Sequence, residues 1–307
     1  MTGGNRLRGE HMSEQPVTGV LVGYDGSEGS ARALEWAAED ARRRGAPLTV
    51  LHSWDVRAGG LAAMPAIDPR AAAQDILNAG IERAQEVAAD LKVRAVLARA
   101  PAAARLIEAS GTAELIVLGP RGTGGFAGLT LGSVGAQVAA YASCPVVIVR
   151  GDPDQGPQQG PGRVVVGMDG SPASRAALAL AFAEADAHGL SLRALVAWDP
   201  LPGKELPPLV DEAGLRAAAE ARLARLMAPL RERHPGVEAE IEVVTGVPRK
   251  VLMDAAGEAR LLVVGSRGVG GFRGLLLGSV SHALVHHAPV PVAVVHASAE
   301  SEAGRPA

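Results

Sequence analysis

The chain repeats itself, and this limits its fold more than any other feature. Segment 20–27 reads VLVGYDGS, and segment 164–171 reads VVVGMDGS. Segment 115–134, LIVLGPRGTGGFAGLTLGSV, returns at 261–280 as LLVVGSRGVGGFRGLLLGSV. Trp54-Asp55 returns as Trp198-Asp199, and Pro145-Val146-Val147 as Pro291-Val292-Ala293. The offset is 144 early in the unit and 146 later, so loops absorb the difference. A 307-residue chain is long enough for two ordinary domains. Between the copies, GDPDQGPQQGPG at 151–162 is too rich in Gly, Pro and polar residues to build a core and reads as a linker. The expected division is a disordered leader at 1–17, a first domain at 18–150, the linker, a second domain at 163–296 and a disordered tail at 297–307. Met12 is an alternative first residue.

Each unit alternates strand and helix. Residues 18–23 form a short apolar run ending at Gly23, the pattern of a buried strand. Ser27 can cap a helix over 29–44 that Gly45 ends; the second copy reads Ser171-Pro172, a cap followed by proline at the first helical position. Second strands are expected at 48–53 and 192–197, long helices at 71–90 and 211–232, and third strands at 93–98 and 238–244. Leu215, Leu223, Leu226 and Leu230 suit one buried face of the second long helix. Short helices follow at 102–110 and 248–257, then apolar strands Leu115 to Leu118 and Leu261 to Val264. Helices at 133–142 and 279–287 and strands at 146–150 and 292–296 close the units. Alternating βα units with apolar strands imply parallel sheets covered on both faces, and right-handed crossovers make them doubly wound and Rossmann-like. Ligands of such sheets lie beyond the carboxyl ends of the strands, where the strand order reverses. Each domain has room for its own core, and with 48% apolar but only 3% aromatic residues those cores must be Val, Leu, Ile and Ala.

Composition excludes several classes. Thirty basic and 33 acidic residues leave a net charge of −3, and no basic patch suggests nucleic acid. The densest basic run, Arg42-Arg43-Arg44, sits where a helix ends and reads as a solvated terminus that suits the helix dipole. No apolar run reaches the roughly 18 residues needed to span a bilayer, so no membrane role is expected. The first 16 residues are polar and lack the apolar centre of a secretory signal. The single cysteine, Cys144, rules out an intramolecular disulfide, suits a cytoplasmic location and reads as a small buried residue.

The chemistry lies in the Gly-rich loops. Gly119, Gly122, Gly132 and Ser133 fit G-x2-G-x9-G-S, and so do Gly265, Gly268, Gly278 and Ser279. Glycines allow positive φ and close backbone approach to a ligand. Gly132-Ser133 and Gly278-Ser279 stand at helix entrances, where unpaired N–H groups and the dipole favour an anion. The serine can cap the helix or donate to phosphate, and Arg121 and Arg267 can add positive charge. The other reading is that such loops only permit tight strand-to-helix links, since a duplication copies structural loops as faithfully as functional ones. There is no GKS or GKT, the first strand runs into GYDGS or GMDGS rather than GxGxxG, and the protein-kinase set is missing.

With the flanking VGxDGS strands, this motif resembles that of the universal stress protein family, in the arrangement of a tandem two-domain member, over 18–150 and 163–296. The resemblance implies five-stranded sheets of order 3-2-1-4-5 and, in the family's ATP-binding branch, a loop that holds ribose and phosphates, with magnesium or manganese as the accompanying ion. Carried over residue by residue, the first site would comprise Gly23 and Asp25, the backbone of Ser53 against adenine, then Leu118, Gly119, Gly122, Gly132, Ser133 and Val134. The second would comprise Gly167, Asp169, Ala197, Val264, Gly265, Gly268, Gly278, Ser279 and Val280. The two aspartates could bind a ribose hydroxyl or a metal through the phosphates, or serve as turn carboxylates. Pro120 replaces the family's usual small polar residue, here kept as Ser266, and removes one N–H, which is expected to make the first site the weaker. Ala100-Pro101 replaces the Gly-x-Pro kept at Gly246, and Arg260 stands where an acidic residue is common.

The loops carry neither carboxylate nor histidine, so hydrolysis lacks a positioned base. Binding rather than catalysis is expected, with slow ATP hydrolysis or a nucleotide-independent scaffold as the alternatives. An ATP-binding regulator acting on an unidentified protein partner in the stress response is what the resemblance implies. His282, His286 and His287 have spacing that could hold zinc, but the first unit lacks them, so they read as an interface or solvent-facing group. His52 and His188 carry no signal alone. The apolar fifth strands, VVIVR and VAVVH, are edges that need cover and are expected to meet across the two domains as an internal pseudo-dimer, with homodimerisation of whole chains left open.

Overall fold

Short apolar strands and capped helices alternate along each copy of the repeat in the computed structural model, which describes residues 16–54, 68–124, 130–150, 162–199, 211–270 and 277–297. In the first copy the order is β1 (Val20–Gly23), α1 (Glu28–Arg44), β2 (Leu48–Ser53), α2 (Pro69–Val87), β3 (Val93–Ala98), α3 (Ala102–Ala109), β4 (Leu115–Leu118), α4 (Ser133–Tyr141) and β5 (Val146–Ile148). The second copy gives β6 (Arg163–Met168), α5 (Pro172–His188), β7 (Ser191–Trp198), α6 (Glu212–Arg233), β8 (Ala239–Thr245), α7 (Pro248–Ala256), β9 (Ala259–Gly265), α8 (Ser279–His287) and β10 (Val292–Val295). The capping residues read from the sequence start the first helix of each unit and stop that of the first; the stop of the second, Gly189, repeats the first. Ser27 accepts from the Ser30 N–H at 3.2 Å, and Ser171 from the Ser174 N–H at 3.1 Å. Gly45 and Gly189 end these helices at φ 65° and 62°, a conformation glycine adopts without steric cost.

Within each unit the strands are parallel and run 3-2-1-4-5. The two edges that needed cover meet each other: β10 pairs antiparallel with β5, with Ala293 opposite Val147. The result is one ten-stranded sheet of order β3-β2-β1-β4-β5-β10-β9-β6-β7-β8. This corrects the expectation of one core per domain. Side chains alternate across a strand, so Val20 and Val22 join one core under α1, α2, α5 and α6, while Leu21 joins another on the opposite face. Both cores run through both units, because the sheet between them is continuous.

Three further expectations change. Val17, assigned to the leader, is buried in the second core. Leu215 is 47% exposed: the first two turns of α6 project past the packed surface, and burial begins at Leu223 and Met227. Arg44 is not a solvated helix end but turns inward between α1 and α5 to pair with Asp40 and Glu184. Cys144 is buried, and burial pushes its thiol up to about 12, so it is an inert core residue. Among the described residues, no helix is long and apolar enough to cross a membrane.

Candidate functional site

The strand order places the ends of β1 and β4 side by side, which is where the chain direction of successive crossovers reverses. In the first unit Asp25, just past β1, accepts from the Ser27 N–H at 3.1 Å and the Ser27 hydroxyl at 2.6 Å through Oδ1. Its Oδ2 accepts from the Thr123 N–H at 2.8 Å. The second unit repeats the arrangement: Asp169 accepts from the Ser171 N–H at 2.9 Å and the Val269 N–H at 3.0 Å. Of the roles open to these aspartates, the geometry realises the turn carboxylate, extended into a brace between two loops. Burial raises the Asp25 carboxyl, but the bonds from Ser27, Thr123 and Ser30 outweigh it and leave the group below its usual range.

The motif glycines divide by what they touch. A Cβ on Gly119 would meet the backbone of Gly29, and one on Gly265 would meet Ser174 N at 2.8 Å, so these positions let the loop lie on the first turn of α1 or α5. A Cβ on Gly122 or Gly268 would overlap the Asp25 or Asp169 carboxylate. Gly132 and Gly278 differ: among the described residues a Cβ there would find nothing nearer than 3.6 Å and 3.5 Å. No described neighbour requires glycine at these two positions. None of the motif glycines among the described residues has positive φ, which corrects that part of the sequence reading.

Gly132 and Gly278 are the N-cap residues of α4 and α8, and among the described residues no side chain caps either helix. Ser133 and Ser279 are therefore first helical residues rather than caps. This contrasts with α1 and α5, whose serine caps close their N-termini. Pro120 does not cost the first site a usable donor. The corresponding Ser266 N–H is spent on the Val295 carbonyl at 2.7 Å, inside the fold, so the physical reason for a weaker first site disappears.

These elements enclose two crevices. One, of about 440 Å³, is lined by Gly23, Asp25, Ser53, Leu118, Gly119, Arg121, Gly122, Gly132, Ser133 and Val134. The other, of about 350 Å³, is lined by Gly167, Asp169, Ala197, Val264, Gly265, Arg267, Gly268, Gly278, Ser279 and Val280. Every residue carried over to the two sites, with Arg121 and Arg267, thus reaches one crevice or the other. Both volumes fall in the range of small-molecule sites, roughly 300–1,000 Å³. Sequence reasoning missed the apolar walls, Leu51 and Leu106 in the first and Leu195 and Leu252 in the second. It also missed His52, which lines the first crevice and donates through Nδ1 to the Tyr24 carbonyl at 2.8 Å. Ser53 was assigned through its backbone alone, yet its Oγ is buried with no hydrogen-bond partner.

The second unit supports the loop of the first. Arg150, just past β5, donates through Nη1 to the Thr130 carbonyl at 2.8 Å and the Val285 carbonyl at 3.0 Å, and through Nε to Ala288 at 3.2 Å. Its guanidinium thus sits at the carboxyl end of α8, where a helix dipole favours a cation. Burial and the nearby Arg121 pull the Arg150 pKa down. His286 shares a hydrogen bond of 2.9 Å with the Thr130 hydroxyl and stacks on His282 at 4.3 Å, which places this histidine group at the interface between units. Arg260, the departure noted above, also crosses that interface, to Glu39 at 3.3 Å.

Residues 17–150 and 161–296 each match the model of the "Universal stress protein family". The chain is 40% identical over 292 residues to Universal stress protein Rv2005c of Mycobacterium tuberculosis, covering 91% of this chain and 97% of that protein. It is 38% identical over 294 residues to a universal stress protein of Mycolicibacterium smegmatis, covering 90% of this chain and 96% of the relative. In structure it is similar to a universal stress protein from Archaeoglobus fulgidus, with a TM-score of 0.66 at 23% identity over 91% of this chain and 98% of that one.

Proposed function

The chain belongs to the universal stress protein family, and on that premise we propose that its two crevices bind ATP, the phosphates at the mouths of α4 and α8 and the adenine against the ends of β2 and β7. The single observation that carries this reading is the pair Gly132 and Gly278. Among the described residues no side chain closes either helix, and none comes nearer than 3.5 Å to where a Cβ would stand. An open helix N-terminus that leaves space for a ligand is an anion site, and Arg121 and Arg267 line the same crevices. At the other end, the orphaned Ser53 hydroxyl and the Leu51 and Leu106 walls suit a flat, partly polar base.

The protein works by binding rather than by turnover. The acidic group of each crevice is already engaged by the protein's own N–H donors, which leaves it a poor base for activating water. Occupied and empty loops would then present different surfaces to a protein partner of the stress response. One observation favours a scaffold instead: Gly119, Gly122, Gly265 and Gly268 are all explained by contacts within the fold. Thermal unfolding with and without millimolar ATP and magnesium or manganese separates the two. A rise in Tm supports the nucleotide reading, an unchanged Tm supports the scaffold, and steady phosphate release at saturating ATP would make the protein an enzyme.

A further inference from the structure

Far from both crevices, α1 and α5 pack together across the junction of the units and bury a cluster of charge. Asp40 is 0% exposed and Glu184 1%, and the His188 side chain is 7% exposed. The cluster is two copies of one motif. Asp40 and Arg44 lie one helical turn apart on α1, and the repeat offset of 144 carries them to Glu184 and His188 on α5. Had the second copy kept arginine, two carboxylates would face two guanidinium groups and the cluster would be closed. Histidine in that place removes a permanent cation and supplies an imidazole.

Arg44 takes one oxygen from each carboxylate: Nε binds Asp40 Oδ2 at 2.7 Å and Nη2 binds Glu184 Oε1. The remaining oxygens turn to the histidine. His188 Nε2 lies 3.0 Å from Asp40 Oδ1 and 3.6 Å from Glu184 Oε2, and the three side chains offer ligand atoms all within 4.8 Å of one another. Glu184 Oε2 is buried with no hydrogen-bond partner. A tetrahedral ion with nitrogen and oxygen ligands at about 2.0–2.2 Å holds them roughly 3.3–3.6 Å apart, and the measured 3.0 Å and 3.6 Å lie within about 0.3 Å of that spacing. A small crevice of about 10 Å³ is lined by Glu184 and His188 together with Trp36 and Arg260, about the space one water needs. Arg44 then acts as the outer partner that orients both carboxylates. Among the described residues, no other group of three His, Cys, Asp or Glu side chains brings its ligand atoms together this closely.

We propose that Asp40, Glu184 and His188 bind a zinc-class divalent ion that joins the two units at the α1–α5 contact. One ligand comes from the first unit and two from the second, so the metal stabilises their pairing.

The test uses the full chain, free of any histidine tag and stripped with chelator, titrated with zinc chloride and followed by calorimetry and thermal unfolding. A parallel titration with cobalt reads the visible bands of a four-coordinate ion. One site per chain is expected, with a rise in Tm on loading. His188→Arg restores the symmetric pair and should fold, while zinc affinity falls at least 100-fold and the cobalt bands vanish. Glu184→Gln keeps the shape and should weaken zinc at least tenfold. His282→Ala/His286→Ala should bind zinc as the parent does. Absence of zinc binding by the parent overturns the proposal, and so does full binding by His188→Arg or loss of binding in His282→Ala/His286→Ala alone.

Discussion

The Asp25 carboxylate holds the N–H of Thr123, 98 positions further along the chain, at 2.8 Å. Gly122, next to that N–H, has no side chain because the carboxylate occupies the space. Gly122→Ala should therefore destabilise the protein by about 1–3 kcal/mol through overpacking. The same change should cost much less in an Asp25→Ala background. A double-mutant cycle by urea unfolding measures this coupling. Additive effects would show that glycine and aspartate do not share the space.

The same carboxylate gives a pH signature. Its folded-state pKa lies below its unfolded value, because the hydrogen bonds from Ser27, Thr123 and Ser30 outweigh desolvation. The stabilisation is therefore present above the unfolded pKa of about 3.9 and is lost as pH falls through the folded value. Asp25→Asn should lower Tm at pH 7, and the gap to the parent should begin to narrow once pH falls below about 4. A gap that stays constant with pH would assign the loss to packing instead.

Arg150 ties the first unit's loop, at Thr130, to the carboxyl end of α8 in the second. Arg150→Ala leaves three carbonyls without this donor. It should cost about 2–3 kcal/mol, the scale of hydrogen bonds from a charged group, and speed amide hydrogen exchange around Thr130 and Leu131. Exchange around Ser279 and Val280, at the other end of α8, should change little. Equal acceleration at both would mean global rather than local loosening.

Much of this was legible before any coordinates. The strands are short apolar runs and the helices carry their own start and stop residues, so Ser27, Gly45, Ser171 and Pro172 marked real boundaries. The glycine spacing led to residues that line two crevices, because a tight loop between a buried strand and a helix is a local matter. What stayed hidden depended on partners distant in sequence. Nothing near Gly119 in the chain reveals that it rests on Gly29, nor does anything near Pro120 reveal that the N–H it lacks would have pointed into the fold. Arg44 and His188 looked like an exposed helix end and an isolated histidine. Only the antiparallel meeting of β5 and β10, which sets α1 against α5, brings them to the same carboxylates.

The central claim is that each helix mouth left open by glycine holds one nucleotide. The direct measurement is the number of ATP molecules bound per chain, by calorimetry or native mass spectrometry, for the parent and for Gly132→Val and Gly278→Val. Two are expected for the parent and one for each variant, with circular dichroism reporting an unchanged fold; among the described residues a Cβ at either position meets no atom nearer than 3.5 Å. No ATP on the parent, or two on either variant, would contradict that claim.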